Sequence, residues 1–200
     1  NPKLSIGLNY RSKITMNVSD GMATFTVPSS LDTSFADGFF SSSLPLPQVL
    51  TLGIGSKVNS KLSLALDLNH VSWNSYDTLA FDYAQNSASL EDTKSPRSYE
   101  NIIAIRTGAS YKATKNLDLR LGFGFSLSPV QDGYVTPETP DGNRYNYTAG
   151  LSYKFGNHFS IDASFLYVQI KREDKNLETN LEGTYLTKVI SPGLGLIYKW

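Results

Sequence analysis

Cysteine is missing from all 200 residues, histidine and tryptophan occur only twice each, and no run of 18 consecutive apolar residues occurs anywhere. The first absence removes disulfide frameworks and thiolate metal sites. The last removes a transmembrane helix but leaves a transmembrane barrel open, because strands cross a bilayer with alternating rather than continuous hydrophobicity. Charge of one sign is lacking too: 18 basic side chains meet 18 acidic ones, so the chain carries no electrostatic footprint for nucleic acid. Neither an initiator methionine nor a basic-then-apolar leader stands at Asn1, and the sequence reads as a processed product or a piece of a longer protein.

What is abundant points to strands. Tyrosine (12), phenylalanine (10) and glycine (15) are plentiful, while charged residues make up 18%. From Leu4 to Val18, residues Leu4, Ile6, Leu8, Tyr10, Ile14, Met16 and Val18 share one parity and polar residues take the other. Such alternation describes a strand with two unlike faces. It recurs from Leu50, Leu62, Ile103, Leu117, Tyr145, Phe159 and Ile190 onward, giving eight strands. Short turns at 59–60, 113–116 and 156–158 alternate with long connections at 19–47, 84–98, 129–143 and 172–183, which is the rhythm of an all-β, antiparallel, up-and-down sheet.

The polar parity reads Asp118, Arg120, Gly122, Gly124, Ser126 in one strand and Arg144, Asn146, Thr148, Gly150, Ser152 in another. Small groups with a few charges suit a lumen better than the Lys- and Glu-rich outside of a soluble barrel. Aromatics divide by end: Tyr111, Tyr153, Phe155, Phe159, Tyr198 and Trp200 lie beside the tight turns, and Tyr83, Tyr145 and Tyr167 beside the long loops. Two aromatic girdles around an aliphatic band predict a transmembrane β-barrel. The third strand changes parity after Leu68, which predicts a bulge or kink between Val71 and Tyr76. Pro192 inside the last strand predicts a local break in pairing.

One connecting segment is unusually greasy. SFADGFFSSSLPLP sets Phe35, Phe39, Phe40, Leu44 and Leu46 among loop-forming residues. Burying each such side chain is worth about 1.5–3 kcal/mol, so they form either a docking patch or the loop's private core. Catalytic chemistry has little to work with: His70 and His158 lack a nucleophile motif, no spacing suits zinc or calcium, and Gly53-Ile54-Gly55 precedes no helix. The reading is a non-enzyme without catalytic residues, metal or cofactor.

Tyr10-Arg11-Ser12, Leu44-Pro45-Leu46-Pro47, Trp73 and Ser128-Pro129-Val130, in this order and strand context, resemble the C-terminal part of FadL-type outer-membrane transporters over residues 1–200. Such proteins are 14-stranded barrels, within the even-numbered range of bacterial barrels, with an N-terminal plug. The resemblance implies a single barrel domain at 1–200 that carries the last eight strands and lacks the plug. It implies passive uptake of long-chain fatty acids or other hydrophobic small molecules across the bacterial outer membrane. It further implies a ligand-landing loop at 19–47, with Phe35, Phe39, Phe40, Leu44 and Leu46 in it, and a carboxylate partner near Lys94 and Arg97. The implied partners are a hydrophobic ligand, membrane lipid, lipopolysaccharide and, from the aromatic C-terminal Leu196, Tyr198, Trp200 series, the outer-membrane insertion machinery, with the protein a monomer and no nucleic acid involved. Two alternatives stay open on the residues alone: a complete eight-stranded barrel with a structural or surface-interaction role, its lumen filled by side chains, and a soluble lipid-binding barrel.

Overall fold

Alternating strands must find hydrogen-bond partners on both sides, and most of those of this chain find them in sequence order. In the computed structural model, which describes residues 3–87 and 89–200, the strands form two antiparallel sheets. The larger runs β1 (Leu4–Arg11), β4 (Val49–Lys57), β5 (Leu62–Val71), β8 (Ile102–Lys112), β9 (Leu117–Ser126), β10 (Arg144–Phe155), β11 (Phe159–Lys175), β12 (Glu182–Tyr198). These are the eight strands legible in the alternation. A smaller sheet runs β2 (Ile14–Ala23), β3 (Gly38–Leu46), β6 (Thr78–Tyr83), β7 (Thr93–Pro96).

The second sheet continues the first. β2 extends β1 past Ser12 and Lys13, β3 leads into β4 through Pro47 and Gln48, β5 passes to β6 through a 3₁₀ turn at Trp73–Ser75, and β7 reaches β8 through residues 97–101. Four strands therefore bend at one level and rise beyond it, at the end where the long connections lie. Gln48 ties the bend together: its Oε1 accepts from Tyr10 Oη at 2.9 Å, its Nε2 donates to Ser72 Oγ at 3.2 Å, and its carbonyl accepts the Ser72 N–H at 3.0 Å. The kink predicted between Val71 and Tyr76 is this turn.

Register sorts the wall into two faces. One row reads Leu8, Leu52, Leu68, Ile105, Phe125, Tyr145 straight across six strands. The neighbouring row on the other face reads Gly7, Gly53, Asp67, Arg106, Gly124, Asn146. The apolar rows stay exposed, with Leu8 at 74% and Leu121 at 68%, as a lipid-facing surface requires. Aromatics gather as predicted beside the tight turns, where Tyr153 and Phe155 meet at 4.7 Å and Phe155 and Phe159 at 5.7 Å. Tyr147 and Tyr167 pair nearer the other end, at 6.2 Å.

Four expectations change. The connection expected at 19–47 is strand over about half its length, at the end of β2 and in β3, because serines and prolines mask the alternation of Phe40, Ser42, Leu44 and Leu46 within β3. Tyr83 does not join an aromatic girdle; it packs on Phe40 and Phe81 in the smaller sheet. Pro192 does not interrupt pairing, since β11 and β12 keep one register from Phe159↔Tyr198 to Lys175↔Glu182 with Phe165 opposite Pro192. The Lys199 N–H, of opposite parity, points to β11 at His158 O, so the nitrogen of Pro192 faces the open edge, where no ladder bond is lost. Last, the eight strands do not close on themselves: β1 and β12 are the two edges of the sheet, which removes the complete eight-stranded barrel.

Candidate ligand-binding cavity at the outer mouth

Just below the bend, the lumen face carries a row Asn9, Thr51, Asn69, Ala104, Ser126, Arg144. Together with Arg11 and Arg106 these residues line a cavity of about 550 Å³, whose apolar share includes Ile14, Leu46, Val49, Val71, Trp73 and Ile102. Three guanidiniums and no carboxylate line it. Arg106 stands opposite Asp67 in the register, yet the two do not pair. Asp67 leans the other way, over Gly53, its Oδ1 2.7 Å from where a Cβ on that glycine would sit. Asn69 is buried at 7% exposure; its Oδ1 accepts from Thr51 Oγ1 at 2.8 Å, while its Nδ2 has no partner. An amide left so costs about 1–3 kcal/mol and marks a site whose polar groups are not yet all satisfied.

Deeper in the lumen the wall thins to Ser5, Gly55, Ala65, Gly108, Gly122 and Thr148. There, Arg120 donates to Ser152 Oγ at 2.7 Å and Ser152 to the Asp162 carboxylate. Beside the cavity, β11 and β12 turn Leu166, Val168, Ile170 and Val189 to the same face, so a hydrocarbon surface adjoins the cationic one.

Above the cavity lies a strap, residues 127–143. It is bonded sideways to both flanks: Glu100 N–H to Pro129 O at 2.8 Å and Gln131 Nε2 to Ser98 O at 2.7 Å on one, Asn176 Nδ2 to Val135 O at 3.1 Å on the other. Arg172 reaches Asp132 at 2.8 Å and Asp174 at 3.3 Å, and Val130 and Val135 are buried beneath. Between the strap and the wall a vestibule of about 290 Å³ opens, with Tyr99, Pro129 and Asp141 around it. It shares Trp73, Ile102, Ser126 and Arg144 with the larger cavity, so the two spaces adjoin. Tyr99 packs edge-on against Trp73 at 5.8 Å and Tyr76 at 5.1 Å. Burial pushes its phenol above the ordinary value, partly offset by its hydrogen bond to Thr139, so the ring stays neutral.

Of the residues singled out from the sequence, Leu46 lines the cavity. Leu44 and Phe40 share its face of β3, opposite Met16 and Tyr83. Phe35 is half-buried against Phe25 at 5.9 Å, and Phe39 lies on the other face, 56% exposed. Lys94 is exposed opposite Ala80; Arg97 is half-buried at the bend, its Nε without a partner. Neither lines the cavity. His70 sits among lipid-facing Leu50 and Ile103, and His158 Nδ1 is 2.8 Å from Lys199 O in a turn. Arg144, Asn69 and Tyr99 went unselected in the sequence. The signal for them was apolar residues on the lumen parity, as in Ile102 to Ile105, where both faces are greasy.

Over residues 1–198 the chain matches the family model described as outer membrane protein transport protein (OMPP1/FadL/TodX). It is 29% identical to outer membrane protein NMB0088 of Neisseria meningitidis over 85% of this chain and 40% of the relative. It is 26% identical to outer membrane protein P1 of Haemophilus influenzae over 98% and 44%, and 23% identical to the long-chain fatty acid transport protein of Escherichia coli over 83% and 36%. The chain thus spans less than half the length of these relatives. Among solved structures it shares its fold with a Pseudomonas aeruginosa FadL homologue (TM-score 0.73, 20% identity, 98% of this chain and 48% of that one). It also superposes on the Ralstonia pickettii toluene transporter TbuX (TM-score 0.59, 21% identity, 99% and 44%).

Proposed function

The chain belongs to the OMPP1/FadL/TodX family of outer-membrane transport proteins, and from that premise we propose that it forms part of the wall of a channel for hydrophobic small molecules bearing a carboxylate, long-chain fatty acids foremost. The observation that carries this reading is the composition of the outer-mouth cavity, greasy on its apolar side and furnished with Arg11, Arg106 and Arg144 but no acid.

Energetics favour such a device over an open aqueous pore. Each methylene resists water by about 0.8 kcal/mol, so a sixteen-carbon chain released into a hydrated lumen faces on the order of 10 kcal/mol. Passage between successive apolar surfaces avoids that barrier. The face of the smaller sheet with Phe40, Leu44 and Leu46 is the landing surface in this reading, with Phe35 and Phe39 shaping the tip around it, and the outer-mouth cavity is the next station. A guanidinium meets the carboxylate there, and the Leu166, Val168, Ile170 and Val189 surface takes the tail. Lys94 and Arg97, outside the cavity, act on first approach by attracting the anion rather than by holding it. Transport is passive, and the open edges of β1 and β12 are completed by further strands of a larger barrel.

The test is ligand binding to the full-length protein in detergent, comparing a fatty acid with the alcohol of equal chain length. Replacing Arg106 and Arg144 together by Gln weakens the acid tenfold or more, the size of a charge-assisted hydrogen bond of roughly 1.5–3 kcal/mol, and leaves the alcohol unchanged. Equal loss for both ligands removes the carboxylate role. The edge-on Trp73, Tyr76 and Tyr99 cluster favours a second reading, uptake of aromatic hydrocarbons, which predicts that toluene competes with the fatty acid.

A further inference from the structure

We infer that Asp141 sets how strongly the mouth favours carboxylates over neutral ligands by serving as the resident counter-ion of Arg144, which an incoming carboxylate must displace on its way from the vestibule to the lumen cavity. This rests on the function proposed above. Arg144 lines both spaces, whereas Asp141 lines only the outer one, so the pair stands at their junction. Arg11 and Arg106 have no carboxylate partner among the described residues; Arg144 alone is neutralised in advance.

The geometry suits exchange. Arg144 Nη2 and Asp141 Oδ1 are 3.6 Å apart, too far for a hydrogen bond and close enough for charge pairing, and the arginine side chain is 51% exposed. Asp141 does not depend on Arg144 for its position. Its Oδ2 accepts from Ser128 Oγ at 3.1 Å, and that same hydroxyl oxygen accepts the Val130 N–H at 3.2 Å, inside the strap's own turn. Arg144 can therefore leave Asp141 without unfolding the strap. Without this carboxylate the mouth would present three bare cations to every passing anion. With it, every anion must displace the resident carboxylate, so anion affinity falls by a common factor and an anion that also buries a tail against Ile102 and Trp73 is the one that stays firmly held.

The experiment replaces Asp141 by Asn in the full-length protein, preserving an acceptor for Ser128, and measures binding of hexadecanoate, hexadecanol and butyrate. Both acids bind about three- to fivefold more tightly, the scale of an exposed ion pair, and the alcohol does not change. Unchanged acid binding overturns the inference, and an equal rise for the alcohol does so as well, because it reports a loosened strap. Arg144→Gln, measured alongside, separates the two layers. If it spares the acid, Arg144 does not hold the carboxylate and the counter-ion role fails with it, while the carboxylate-holding function is judged by the Arg106 and Arg144 double replacement; if it weakens the acid while D141N changes nothing, only the counter-ion role fails.

Discussion

A hydrogen in place of a side chain at position 122 leaves room for the wall to close. A Cβ there would lie 2.5 Å from Thr148 Oγ1 and 3.3 Å from Thr107 O, and the latter is backbone that cannot step aside. Gly122→Val is expected to cost about 1–3 kcal/mol, seen as a lower melting temperature of the folded barrel in detergent. Tyr99 supplies a pH prediction. Its folded-state value lies above the ordinary 10.0 because of burial, so the neutral phenol contributes its full share to the mouth's stability below that pH, and the share is lost as pH rises through the raised value. Tyrosinate absorbance follows this: Tyr99→Phe removes one late-titrating ring and, with it, the hydrogen bond to Thr139, at a cost to the strap of about 1 kcal/mol at neutral pH. At this scale the sequence was partly legible. The lumen charges Arg11 and Arg106 could be placed by parity alone. That Asp67 turns from Arg106 toward Gly53 could not, because it depends on space across a strand pair rather than on local pattern.

At the scale of single elements, the strap has the clearest anatomy. Gly133 holds φ at +88°, a conformation that side chains resist, and an added Cβ would meet Leu177 Cγ at 2.6 Å. Its N–H donates to Asp174 at 2.9 Å. Gly133→Ala is expected to cost roughly 1–3 kcal/mol locally and to speed proteolysis at 127–143 while leaving the barrel strands protected. Arg172→Met acts on the same segment by leaving Asp174, whose side chain is 7% exposed, without its cation. Roughly 3 kcal/mol of strap stability is expected to go, with faster amide exchange from Val130 to Val135 as the readout. None of this anchoring was legible, since it joins residues about 40 apart in sequence that share no periodicity. Strands β1, β4, β5 and β8 to β12 were readable because each has one greasy parity. Of β2, Ile14 to Val18 was readable as a continuation of β1; its remainder and β3 hid because the bend moves apolar positions onto the cavity side, and because three consecutive serines and two prolines look like a loop.

For the molecule as a whole, everything depends on which face meets lipid. Spin labels decide it: a label at Leu121 is expected to respond to oxygen dissolved in the bilayer, and one at Thr148 to a water-soluble relaxing agent, with the reverse pattern inverting the wall. The overall class was legible because two-faced strands, girdles and turn rhythm all agree, whereas the open sheet was not, for alternation says nothing about closure.

The row of bends has a consequence for how cargo arrives. Four strands rise past it as a second sheet while β11 and β12 run on a few residues unbent, and β2 alone adds ten residues, a contour of about 30 Å. The rim is lopsided, a tall gangway on one flank and a low sill on the other. Ile14, Met16, Leu44 and Phe40 pave the gangway on its inner side, so under the uptake proposed above a greasy molecule caught high above the headgroups would slide down to the hold without ever being fully wet.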